Sequence, residues 1–232
     1  MNREELNSYI DHCTLLGNIV TENSEIYNRD EMSSLPVKLQ ILLGSVCVEG
    51  LYVKKDTDGN IHLTHYDGDY TELDLGDCID VIDDYAFYNN RADVNNLTKL
   101  QYVSGESVVS IGYKGFADSK VREIDFPNVR TIGNGCFMFT QLGTATFNEL
   151  ERIPQATFRS TPLVSFRGDK VHAVDANAFA YCSGLQQVIL PTLQVAEINS
   201  FIGCNSLSNI HIPNTCINYQ YIVGTKKRGL FI

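Results

Sequence analysis

The chain is 232 residues long, 44% hydrophobic, and carries 18 basic against 28 acidic side chains for a net charge of −10. That balance argues against nucleic acid and anionic membrane surfaces, which favour basic patches. No run approaches the roughly 18 apolar residues of a spanning helix, so membrane insertion is not expected. Seven cysteines (Cys13, Cys47, Cys78, Cys136, Cys182, Cys204 and Cys216) form no C-x-x-C pair and no even framework. They read as free thiols of a reducing compartment. The opening "MNREELNSYIDHC" has no basic segment followed by an apolar one, so no secretory signal is read. The expected location is the cytoplasm, or outside the cell as part of an exported particle or assembly.

In chain order, "NREELNSYIDHCTLLGNIV" predicts a helix capped by Asn2, with Glu4 and Glu5 in its first turn. Leu6, Ile10 and Leu15 make one face. "MSSLPVKLQILLGSVCVEG" predicts a second short helix after Pro36. "GLYVKKDTDGNIHLTHYDGDY" predicts a β-hairpin around "DTDGN". In that turn Gly59 is fourth rather than sixth and no Glu closes a 12-residue loop, so it is read as a turn and not a calcium loop. His62 and His65, three apart on a strand, point to opposite faces and are not read as metal ligands. Asp67, Asp69, Glu72, Asp74, Asp77, Asp80, Asp83 and Asp84 make an acidic run, read as a solvating surface.

From there the chain repeats. A pattern φxxφxxxxF (φ, apolar) ends at Phe87, Phe116, Phe137, Phe158, Phe179 and Phe201, at intervals of 29, 21, 21, 21 and 22 residues. Each Phe follows an apolar residue five places back (Ile82, Ile111, Ile132, Ile153, Val174, Ala196) and another eight back (Ile79, Val108, Val129, Leu150, Val171, Leu193). A second pattern, φxxφxφ, follows each Phe: "LQYVSG", "VREIDF", "LGTATF", "LVSFRG", "LQQVIL" and "LSNIHI". Its final alternation is strand periodicity. One such unit cannot bury its apolar face alone; stacked coils can. The pattern therefore predicts about six coils with parallel strands and an internal Phe ladder. Cys182 and Cys204, each three after its Phe, stack at one corner, as buried thiols or as a disulfide. The segment "NNRADVNN" is a loop insertion in the first unit.

"VDANAFAYCSGLQQVILP", "SFIGCNSLSNIHIP" and "SVVSIGYKGFADSKVREIDFP" resemble the BspA-type leucine-rich repeat family, over residues 79–213. The resemblance implies a leucine-rich-repeat solenoid and, through relatives that are surface adhesins, a recognition role. The expected fold is thus a β-rich α/β solenoid, a right-handed coil of parallel strands behind a small α+β capping domain. The expected division is 1–75 as N-terminal cap or docking domain, 76–213 as repeats and 214–232 as C-terminal cap, with "YQYIV" a final strand. The basic "TKKRG" pairs with acidic surface rather than nucleic acid.

No catalytic motif is present: no G-x-S-x-G, no H-E-x-x-H, no phosphate loop. The expectation is a non-enzyme without cofactor or metal. Strand alternation turns two positions of each strand outward: Tyr102 and Ser104, Glu123 and Asp125, Thr144 and Thr146. It does the same with Ser165 and Arg167, Gln187 and Ile189, Asn209 and His211. These two stripes are the predicted partner-binding surface, for a protein or a glycan, with Tyr102, Arg167, Ile189 and His211 as anchors. The alternative is a structural subunit of a larger assembly, such as a phage virion or a surface complex, docked through the N-terminal region.

Overall fold

The structure, a computed structural model, describes residues 3, 4, 6–8, 10, 11, 46–48, 50–88 and 99–218. The second helix predicted after Pro36, the insertion, "YQYIV" and "TKKRG" lie outside these residues, except that Val46–Val48 is strand β1. The described residues between 3 and 11 are helical. Leu6 and Ile10 join the main hydrophobic core, and the Arg3 guanidinium spans Asp80, with Nη2 2.6 Å from Oδ2. Strands β2 (Leu51–Lys55) and β3 (Ile61–Tyr66) form the expected hairpin, and β1 pairs antiparallel with β2. Asp56 caps the hairpin turn by accepting the N–H groups of Asp58 and Asn60. The Asn60 side-chain amide, foremost, holds the Asp56 carboxyl well below the usual carboxylate range.

The coils come next, each with one strand of the φxxφxφ segment and a shorter strand before the Phe turn. They are β4 (Glu72–Asp74) with β5 (Val81–Ile82), β6 (Tyr102–Ser104) with β7 (Ser110–Ile111), and β8 (Glu123–Asp125) with β9 (Thr131–Ile132). Then come β10 (Thr144–Phe147) with β11 (Arg152–Ile153), β12 (Ser165–Gly168) with β13 (Ala173–Val174), and β14 (Gln187–Ile189) with β15 (Val195–Ala196). Finally β16 (Asn209–His211) opens a further coil, in which Ile217 bridges to Val195. All pairings between coils are parallel. Among the described residues the stack thus has seven strands of the first kind rather than six, because β4 pairs with β6. The hairpin is not set apart from it: His62 and Leu63 pair in parallel with Val81 and Ile82. Helix is confined to the few N-terminal residues among those described.

The third side of each coil is the Phe turn, and its hydrogen bonds can be accounted for completely. Around Phe137, for example, Cys136, Met138 and Thr140 donate back to the carbonyls of Gly133, Gly135 and Phe137, closing three consecutive four-residue turns. The intervening N–H groups, those of Gly135, Phe137 and Phe139, donate instead to the next coil, at Gln155, Thr157 and Arg159. Alternate peptides therefore all point the same way along the stack. The residues two before and two after the Phe need positive φ, as the third residue of a type II turn does. Gly135 and Gly203 supply this readily, but Tyr85 (60°), Phe139 (61°), Ala156 (55°) and Tyr181 (62°) adopt it without being glycine. That conformation costs a residue with a Cβ about 1–2 kcal/mol, so the inter-coil bonds and packing hold it in place.

Inside the turns the six Phe rings stack nearly parallel. Ring centroids are 4.5, 5.4, 5.6, 5.2 and 4.8 Å apart from Phe87 to Phe201. All are buried, each contributing about 1.5–3 kcal/mol of transfer free energy. The apolar residues five and eight places before each Phe are buried too. In the fifth coil Phe166 and Gly168 exchange bulk: a Cβ on Gly168 would lie 2.6 Å from Val171 Cγ2 and 3.2 Å from the Phe166 ring. The large ring fills the space that Phe147 and Leu190 fill for themselves in adjacent coils.

Both strand ladders are interrupted at one level, between β8 and β10 and between β9 and β11. Pro154 explains the second gap. Asp83, Gly112, Gly133, Asp175 and Glu197, at the equivalent place, each donate a backbone N–H to the preceding coil. Proline has none to give.

Candidate recognition surface

The first strand of each coil presents alternate side chains to the outside, and parallel pairing aligns them in rows. Val103, Ala145, Phe166 and Val188 point into the core, while their neighbours are exposed or half-buried. Tyr102 lies opposite Glu123 and Ser104 opposite Asp125. Thr144, Ser165, Gln187 and Asn209 continue one row; Thr146, Arg167, Ile189 and His211 continue the other. The structure therefore brings the twelve predicted positions onto one face. It adds Glu72 and Asp74, which pair with Tyr102 and Ser104. The alternation of Leu73 and Leu75, both buried, is the sequence signal for that strand, obscured by the acids around it.

The face is divided electrostatically. Across β4, β6 and β8 its outward residues are Glu72, Asp74, Glu123 and Asp125 beside Tyr102 and Ser104. Asp74 accepts the Ser104 hydroxyl at 2.8 Å and the Gly76 N–H at 3.0 Å. Across β10 to β16 the outward residues include no carboxylate, and Arg167 pairs with Asp169 at 2.8 Å. The division falls where the strand ladders stop.

Most of the acidic run is engaged locally. Asp80 holds Arg3, Asp83 binds Lys54 at 2.7 Å and His62 Nδ1 at 2.6 Å, and Asp84 accepts the Tyr113 N–H at 2.6 Å. His62 thus bonds carboxylates, while His65 lies against Tyr52 with ring centroids 5.5 Å apart. Among the described residues no three His, Cys, Asp or Glu side chains gather as metal ligands. A shallow cleft of about 730 Å³, unforeseen from the sequence, opens where the hairpin meets the coils; Lys54, His65, Asp83, Asp84 and Ser110 line it. Within it Lys54 and Asp83 pair with each other. The turn side carries a different character, with Tyr85, Phe139, Tyr181, Ile198 and Ile202 exposed. No helix among the described residues is long and apolar enough to cross a membrane.

Two overlapping stretches, residues 64–186 and 172–222, match the sequence model of the BspA type leucine-rich repeat region, which comprises six copies. Together they span more than half the chain. The chain belongs to the BspA-type leucine-rich repeat family. The family consists of repeat scaffolds, typically surface or adhesion proteins, and is generally non-catalytic. The BspA-type fold extends to solved structures. A leucine-rich repeat protein from Eubacterium ventriosum is 21% identical with a TM-score of 0.63, over 75% of this chain and 47% of that one. The T. pallidum leucine-rich repeat protein is 20% identical with a TM-score of 0.53, over 78% of this chain and 96% of that one. A leucine-rich cell surface protein from Faecalibacterium prausnitzii is 19% identical with a TM-score of 0.46, over 81% of this chain and 44% of that one. The chain thus spans less than half the length of the Faecalibacterium and Eubacterium proteins. No curated protein matches it.

Proposed function

We propose that this BspA-type chain is a non-catalytic recognition scaffold that binds a protein or glycan through the outward rows of β4 to β16. The observation that carries the reading is the face itself: fourteen outward side chains in two rows, held in register within the parallel sheets β4–β6–β8 and β10–β12–β14–β16. A rigid array costs little ordering on binding. Tyr102, Arg167 and His211 are the side chains suited to anchor a partner, since binding energy concentrates in aromatic and guanidinium groups. The helical residues between 3 and 11 and the strands β1 to β3 would cap the first coil on this reading, since an end coil without a cap exposes core. Such a face, in a family of surface proteins, suits work outside the cell or on an exported particle.

The test places a photo-crosslinking amino acid at Thr146, on the face, or at Gln155, on the turn side, and exposes each full chain to lysate and medium of its source. Crosslinks from Thr146 that disappear with Tyr102→Ala, Arg167→Ala and His211→Ala support the reading. Crosslinks from Gln155 alone would overturn it. Sedimentation with a large particle, with no crosslink from Thr146 or Gln155, would replace it with a structural subunit docked through the N-terminal end.

A further inference from the structure

The residue three after the ladder Phe is Ser119, Thr140, Thr161, Cys182 and Cys204 in successive coils. Each closes the last turn by donating its N–H to the Phe carbonyl, and each is a small hydroxyl or thiol. Thr140 and Thr161 donate their hydroxyls to the same carbonyls, Phe137 and Phe158, each at 2.9 Å. The two thiols reach back one coil: Cys182 Sγ lies 2.9 Å from the Phe158 oxygen, and Cys204 Sγ 3.1 Å from the Phe179 oxygen. Thr161 Oγ1 is 3.3 Å from Cys182 Sγ. The two thiols thus hold equivalent places in neighbouring coils, each against the carbonyl of the Phe one coil back.

Their coils are in parallel register through both β12–β14 and β13–β15. Neighbouring strands at about 4.8 Å fall inside the roughly 4.4–6.8 Å that a disulfide spans between Cα atoms. Cys182 is buried, whereas Cys204 is partly exposed. Both are free thiols in this structure.

We propose that Cys182 and Cys204 are a redox modification site, at which a small disulfide oxidant or a disulfide-bearing oxidoreductase joins the fifth and sixth coils. The partly exposed Cys204 gives up its proton to solvent and attacks one sulfur of the oxidant, releasing the other as thiolate and leaving a mixed disulfide. The Cys182 thiolate then attacks Cys204 Sγ. The bond to the oxidant's remaining sulfur breaks, and that second thiolate leaves and is protonated. Two protein thiols lose two electrons, and one disulfide is reduced to two thiols. The hydrogen bond between the thiols, with Thr161 adding to it, holds the Cys182 thiol below its ordinary range and pushes that of Cys204 above it.

The folded, reduced full chain is incubated with glutathione disulfide, alkylated, and cut without reduction by a protease specific for glutamate. Cleavage after Glu197 separates the two cysteines, so their peptides stay together only if bonded. The expected result is that joined pair, with Cys78, Cys136 and Cys216 alkylated once the chain is unfolded. Cys182→Thr, which installs the residue of the two preceding coils, should trap glutathione on Cys204. Cys204→Ser should leave Cys182 unmodified. A glutathione adduct persisting on Cys204 in the unsubstituted chain, or no oxidation of either cysteine, would overturn the proposal, and neither result depends on a variant folding.

Discussion

Between the third and fourth coils both strand ladders stop, β8 short of β10 and β9 short of β11. The turn ladder crosses the same boundary intact: Gly135, Phe137 and Phe139 donate to Gln155, Thr157 and Arg159, each at 2.9 Å. The Phe137 and Phe158 rings stack across it at 5.6 Å and 6°. The strand side can lose pairing, as it does at Pro154, and the stack persists because the turn side holds it. This leaves the strand face free to vary its outward residues, from acidic in the first three coils to neutral in the last four. The turn side has no such freedom, since its backbone conformation and its ring are fixed in every coil.

The largest effect should come from breaking the turn side. Phe158→Ala removes a ring between two stacked neighbours and should cost about 3–5 kcal/mol, read from urea unfolding. A loss below about 1 kcal/mol would show that the ladder contributes little. Next is the core of the strand side. Gly168→Ala brings a Cβ within 2.6 Å of Val171 and should cost about 1–3 kcal/mol; no loss would mean that Phe166 shifts freely.

A third change should strengthen the turn side. Ala156 holds φ of 55°, and its left-handed penalty of about 1–2 kcal/mol exceeds the roughly 0.5–1 kcal/mol entropic cost of glycine. Ala156→Gly should therefore raise stability by up to about 1 kcal/mol, and a clear destabilisation would mean that these turns are not strained as described. The smallest effects belong to the strand face. Tyr102→Ala, Arg167→Ala and His211→Ala should each shift stability by about 0.5 kcal/mol or less, even where they abolish binding. The Arg167–Asp169 pair does not alter this, since exposed ion pairs contribute little.

Much of the fold is legible in the sequence because the turn side tolerates so little change. Six Phe residues, each with apolar partners five and eight places back, mark the coils directly, and strand alternation marks the twelve face positions. Strand β4 is harder to read: Leu73 and Leu75 are flanked by Glu72, Asp74 and Asp77, so composition suggests a solvated loop. The positive-φ positions are hidden as well. Tyr, Lys, Phe, Ala, Ser, Asp and Asn all occupy them, because the demand comes from inter-coil bonding and not from local preference. The joining of β3 to β5 is a long-range pairing that two-residue strands do not announce. Pro154 is visible in the sequence, but its effect becomes readable only when Gly133 and Asp175 are seen donating N–H groups at the same place.

Native-state hydrogen exchange, resolved by residue, tests the central division most directly. If the turn side holds the stack together, the amides of Gly135, Phe137 and Phe139 are as protected as those of Ala156, Phe158 and Ser160, across the boundary where the strand ladders stop. The strand amides on either side of Pro154 should exchange faster than their counterparts in β13 and β15. Loss of protection in the turn amides at that same boundary would contradict this division of labour, because the stack would then separate there into two independently opening halves.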